Sequence, residues 1–236
     1  MRRWGSEHRR APQAPEERSR PGGEPWALHH RLIAAALATV GLLLAGCGGT
    51  APAPAAALSA APTPAGTYRG LQLDPPQPRP TFTLRDPAGA RFDFAARTRG
   101  TPTLLFFGFT HCPDICPTTM ADVATALRGV AEPLRRSVRV VFVTTDPARD
   151  TGPVISAWLR SFDEDLPARF VGLTGTVAQV EAAQAAARVP VATDGGQTHS
   201  AELLLYGPDD YARVAYVAGN SPDDLRHDLP VVIRGA

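Results

Sequence analysis

Lysine is absent from the 236-residue chain, and all 24 of its basic residues are arginine. That excludes Schiff-base chemistry on a lysine and any phosphate loop of the Walker type. No Gly-x-Gly-x-x-Gly fingerprint occurs, so nucleotide cofactors have no support, and no internal repeat marks a solenoid. A strong charge of one sign is missing as well. Residues 1–47 hold 7 Arg and 4 Glu, which leaves 17 Arg against 19 acids, a net of −2, for residues 48–236. A slightly acidic body argues against nucleic acid as the partner. Cysteine is scarce, with only Cys47, Cys112 and Cys116.

The longest apolar run, residues 32–45, has 14 residues and follows Arg31. It is short of the about 20 that a bilayer span needs but matches the core of a signal peptide. It ends in Leu44-Ala45-Gly46-Cys47, which resembles the lipobox of bacterial lipoproteins. By that resemblance residues 1–46 are a signal peptide and Cys47 becomes the lipid-modified first residue of the mature chain. An uncleaved anchor and a plain secretory signal are the alternatives, and all three put the body outside the cytoplasm. Residues 48–66 are uncharged and rich in Ala and Pro, the composition of an extended tether. The expected organisation is therefore signal peptide 1–46, lipidated Cys47 with its tether to residue 66, and one folded domain over 67–236, anchored at the bacterial cell membrane and facing outward.

Within the domain, Phe82–Arg85 and Arg91–Phe94 flank Asp86-Pro87-Ala88-Gly89 as a β-hairpin. Pro102–Phe109 and Val138–Val143 are nearly unbroken apolar runs, as in strands covered on both faces. Helical spacing follows over 117–129, 153–162 and 176–188, with Thr176 a candidate cap, and a short strand at 170–173 precedes the last of these. Strands at 201–206 and 213–217 and a helix from Ser221 towards Ile233 close the chain. Parallel crossovers mixed with antiparallel pairs fit an α/β, thioredoxin-like sandwich with an N-terminal hairpin.

The segment Gly108-Phe109-Thr110-His111-Cys112-Pro113-Asp114-Ile115-Cys116-Pro117 sets two thiols four positions apart where a buried strand gives way to a helix. Free N–H groups at a helix start stabilise thiolate, so lowered pKa values are expected for both cysteines. On a helical turn the Cβ atoms of i and i+4 lie about 5–6 Å apart, wider than a relaxed disulfide but suited to two sulfurs on one metal ion. Pro117 disfavours a fully helical Cys116, which keeps a redox-active Cys112–Cys116 disulfide within reach. As a mere staple this bridge would stabilise little, because the gain grows with loop length.

Two thiolates suit Cu(I), Zn(II) and other soft ions, and a closed site needs a further ligand. Of the six histidines, His8, His29 and His30 precede the lipobox, His227 sits among Asp223, Asp224 and Asp228, and His111 would point away from Cys112 on an extended chain. His199 remains, in the polar loop Asp194-Gly195-Gly196-Gln197-Thr198-His199-Ser200. A loop of this kind can fold over a site at a strand end.

The 108–117 segment, Thr145-Asp146-Pro147-Ala148-Arg149-Asp150-Thr151, Gly172-Leu173-Thr174-Gly175-Thr176 and His199-Ser200-Ala201 together resemble the Sco/SenC family of copper proteins, in the family's order. The resemblance implies that Cys112, Cys116 and His199 hold one copper ion, Cu(I) and also Cu(II). It implies delivery of that copper to the binuclear centre of cytochrome c oxidase subunit II, with a copper donor protein upstream. Asp146 matches a family acid that would support the site from outside the ligand set, although an Asp-Pro turn serves equally. One departure is Thr198, where the family often has an acid, so an outer hydrogen bond to the histidine is in question. The alternative function is a thiol–disulfide oxidoreductase that reduces the cysteines of apo-oxidase or another exported client. Spacing and His199 favour copper, because thioredoxin-type redox motifs have two intervening residues and need no distant histidine.

Overall fold

The apolar run after Gly100 forms strand β4 (Thr103–Gly108), and the run after Ser137 forms β5 (Arg139–Thr144). Every residue of β4 is buried, because both faces of the sheet are covered. In this computed structural model the described residues are 67–235 except Gly219; the expected signal peptide, Cys47 and the tether to residue 66 lie outside them.

The first strand, β1 (Leu71–Pro78), was not signalled by the sequence. Its three prolines mask it, and they are tolerated because the strand lies at a sheet edge. The hairpin follows as β2 (Thr83–Arg85) and β3 (Arg91–Asp93), in the register Thr83 to Asp93. Phe94, expected in the strand, instead opens the short helix α1 (Phe94–Thr98), since the Asp93 carboxylate accepts from Ala96 N at 2.9 Å. After β4 come α2 (Ile115–Gly129), an unforeseen short α3 (Glu132–Ser137), β5, α4 (Gly152–Asp163), β6 (Val171–Leu173) and α5 (Val177–Ala186). Thr176 caps α5 with Gln179 in a reciprocal capping box. Strands β7 (Leu203–Tyr206) and β8 (Tyr211–Tyr216) and helix α6 (Pro222–Arg234), capped by Ser221, complete the domain.

The main sheet has the order β1-β8-β7-β4-β5-β6; β4, β5 and β6 are parallel and the rest antiparallel. Alternate residues feed two cores. Leu104, Phe106, Phe142 and Leu205 pack with Met120, Ile155 and Leu229 of α2, α4 and α6. Leu105, Phe107, Val141 and Tyr206 pack on the other side with Leu84, Phe92, Phe94 and Val180. This three-layer arrangement leaves the carboxyl ends of β4 and β5, side by side at Gly108 and Thr144, as the place where chain leaves the sheet and chemistry can be built.

Candidate metal centre

Helix α2 starts at Ile115, two residues earlier than its apolar spacing implied, so Cys112 lies in the turn before the helix and Cys116 in its first turn. Pro117 sits in that first turn too, where its missing N–H costs nothing. The cap residue Asp114 makes no side-chain capping bond. In its stead the Cys116 N–H donates to Cys112 Sγ at 3.5 Å.

This arrangement separates the two thiols, and one expectation is corrected. Burial pushes the Cys112 thiol up, but the backbone N–H groups of Asp114 and Cys116, the Cys116 side chain and the Ile115 N–H outweigh it, and the pKa is lowered. Cys116 was expected to be lowered as well. It is fully buried, and desolvation pushes its thiol far up against only a partial offset from the backbone at Phe109. Both are free thiols.

His199 arrives from the connection between α5 and β7. Its Nε2 lies 3.3 Å from Cys116 Sγ, and its Nδ1 donates to Ser200 O at 2.8 Å. A carbonyl can only accept, so in the neutral ring the hydrogen sits on Nδ1 and the Nε2 lone pair faces the sulfur. This backbone partner fixes the ring from outside, as second partners of metal-binding histidines do. Thr198 donates to Asp194 Oδ2 at 2.8 Å and closes the loop. Phe106 and Phe109 meet the imidazole edge to face, with centroids at 6.1 and 5.6 Å.

Thus Cys112, Cys116 and His199, separated by up to 87 positions, offer ligand atoms within 4.8 Å of one another. Bonds of about 2.3 Å to sulfur and about 2.0 Å to imidazole nitrogen put the donors of a three-coordinate ion about 4 Å apart. Shifts below about one ångström therefore close this cluster on one soft ion. Gly108 makes room for it: a Cβ there would meet Cys116 Sγ at 2.8 Å and the Phe106 ring at 2.7 Å.

Asp146 is buried beside the site, and its carboxylate pairs with Arg149, whose guanidinium lies 6.0 Å from the centre of the Phe109 ring. Its link to His199 therefore runs through two other side chains. Asp150 has the more direct role and was missed as a site residue, although it stands in the same quoted motif. Its fully buried carboxylate accepts from Thr110 N at 2.9 Å, Thr110 Oγ1 at 2.6 Å and Thr144 Oγ1 at 2.7 Å. His111 lies 3.4 Å from Asp150 with its ring half in solvent, outside the cluster. His227 contacts Asp228 at 2.7 Å, also away from the site.

Comparison with known proteins gives a match of residues 72–234 to the SCO1/SenC family model. Bovine mitochondrial SCO2 homolog is 34% identical over 160 residues, covering 63% of this chain and 58% of that protein. The chain spans somewhat under two thirds of the length of the first curated relatives it matches. The copper-bound structure of ScoI from Bradyrhizobium japonicum has 31% identity and a TM-score of 0.54, covering 66% of this chain and 99% of that one. Arabidopsis thaliana ScoI with copper bound gives 28%, a TM-score of 0.58, and coverage of 67% and 99%.

Proposed function

The chain belongs to the SCO1/SenC family, and on that premise we propose that it binds copper through Cys112, Cys116 and His199 and passes it to subunit II of a cytochrome c oxidase. The observation that carries this reading is the convergence of two thiol sulfurs and one imidazole nitrogen within 4.8 Å. Thiolate favours Cu(I), and imidazole extends the site to Cu(II). The copper-bound relatives add support from outside the chain.

Transfer is a ligand exchange in which copper keeps its oxidation state. Cys112 is half-buried and the readier of the two to ionise, so an incoming client thiolate replaces it first. Cys116, fully buried, and His199, in contact with it, hold the ion until the second exchange. A copper donor protein would load the site by the same steps in reverse order. The proposal includes a lipid on Cys47 and a tether to residue 66, which keep the domain of residues 67–236 beside a membrane client. Among the described residues no helix is long and apolar enough to cross a membrane.

The second reading, a thiol–disulfide oxidoreductase, rests on the half-buried position and lowered pKa of Cys112 next to a buried Cys116. Cys112 thiolate would attack a client disulfide, and Cys116 would then displace the client thiol. Two electrons pass to the client, and an external thiol must reduce Cys112–Cys116 again.

The test uses protein carrying Cys47→Ala, which removes the third thiol, reduced and loaded anaerobically with Cu(I). One copper per chain that survives a competing chelator, with affinity about 10- to 100-fold weaker in His199→Ala, is expected. No retained copper combined with rapid disulfide exchange would transfer the function to the second reading.

A further inference from the structure

Both ligand-bearing loops are hydrogen-bonded to the end of β5 and the turn that follows it. Thr144 and Asp150, each fully buried, face the cysteine loop. The Asp150 carboxylate binds both the N–H and the hydroxyl of Thr110, two residues before Cys112, and is itself gripped by Thr144 Oγ1. The next residue, Thr145, faces the other way. Its hydroxyl donates to Gly196 O at 2.7 Å, across 51 positions of sequence. Its own carbonyl lies against Gly196, where a Cβ would fall 1.8 Å from the oxygen. Gly196 holds φ at +92°, a conformation that side chains rarely adopt. Thr193 N bonds Thr198 O at 2.8 Å and Thr198 N bonds Thr193 O at 3.2 Å, so residues 193–198 form one closed turn with His199 at its exit.

From this geometry we propose that the Thr144–Asp150 turn is the bracket that brings the two halves of the metal centre into register. Asp150 positions the cysteine loop, and the Thr145 hydroxyl positions the loop that delivers His199. Neither residue is a ligand; each acts through the loop it holds. The inference rests on the copper reading for its consequence but not for its structural content, so the two fail separately.

The first measurement needs no metal. Amide hydrogen exchange of the metal-free, reduced Cys47→Ala protein is compared with Thr145→Val, Thr145→Ser and Asp150→Asn in the same background. Thr145→Val keeps the side-chain volume and removes the donor; exchange over 193–199 should rise about tenfold, the worth of one buried hydrogen bond, while 109–116 stays unchanged. Asp150→Asn should do the reverse, and Thr145→Ser should restore the parent pattern. Uniform acceleration through the whole domain, or none in either loop, would overturn the bracket.

The second measurement reads copper. Thr145→Val should weaken retention about 10-fold and alter the thiolate-to-Cu(II) absorption band in the manner of His199→Ala, and the double variant should lose no more than His199→Ala alone. Additive losses would overturn the assignment of Thr145 to His199. If the parent protein holds no copper while the exchange pattern is as expected, the copper reading falls and the bracket stands.

Discussion

The loop that carries the cysteines and the loop that carries the histidine reach the same point by different means. The first is short and continuous with regular structure on both sides: β4 ends at Gly108, α2 begins at Ile115, and Asp150 fills the gap beneath with three accepted hydrogen bonds. The second follows α5 after a long irregular stretch and is fastened by the Thr145 hydroxyl and one close glycine contact. A donor pair set at a strand-to-helix junction, the fixed half, is therefore joined by a third donor on a loop with no adjoining helix start, the fastened half, and each loop makes a long-range hydrogen bond to the Thr144–Asp150 segment. On the copper reading proposed above, loss of a sulfur from the cysteine loop would cost more affinity than loss of the imidazole from the histidine loop.

The sharpest test of this division removes a donor from the fixed half. Cys116→Ser leaves a slightly smaller side chain in a buried position and replaces a soft sulfur by a hard oxygen beside the His199 Nε2. We expect copper per chain, counted after competition with a chelator, to fall from one to none, with folding retained. Retention of one copper by Cys116→Ser would mean that the two halves are not unequal in the sense described.

How much of this was legible beforehand follows the same division. The cysteine segment could be read because the features that mark it are local: an apolar run, a glycine, two thiols and a proline within about ten residues; its support by Asp150, 40 positions beyond Thr110, could not. Strands β4 and β5 and helices α4, α5 and α6 were legible for the same reason, from apolar runs, helical spacing and caps. His199 could be reached by elimination among the histidines and by resemblance. Its fastening could not, because the Thr145 to Gly196 bond spans 51 positions and involves a threonine with no distinguishing neighbourhood. Asp150 looked like one more residue of a turn. Strand β1 was hidden by prolines that only an edge position explains, and the raised Cys116 thiol reflects burial, which overrides the helix start.

Gly196→Ala strikes the fastened half. A Cβ at 1.8 Å from the Thr145 carbonyl has no room, and φ of +92° adds strain of about 1–3 kcal/mol. The loop should leave Thr145 and take His199 with it. The expected outcome is a lower melting temperature by a few degrees and copper affinity no better than that of His199→Ala, with stoichiometry still one under mild competition. Gly195→Ala is the control, since its φ is also positive but no atom lies within 4 Å of the added carbon. It should cost similar backbone strain without displacing His199. Equal losses of copper affinity in both variants would remove the distinction between strain and displacement on which the fastening rests.

The smallest expected effect lies within the fixed half, between its two sulfurs. Cys112 receives the N–H groups at the start of α2 and has a lowered pKa, whereas Cys116 is desolvated and raised. A lowered pKa means that the thiolate is already half formed below the ordinary value of 9.0, so alkylation of Cys112 should rise with pH and level off early. Cys116 stays protonated over the same range, and its alkylation should remain slow and still be climbing. Reduced, metal-free Cys47→Ala protein labelled between pH 6 and 9, with the sites read by peptide mass, should favour Cys112 at least about tenfold at pH 8. In denaturant the two should react alike, because both the helix N–H groups and the burial are gone. Equal rates in the folded state would leave no physical reason for Cys112 to be the first ligand exchanged, and the order of transfer argued from the two sulfurs would have to be abandoned even if the copper site itself stood.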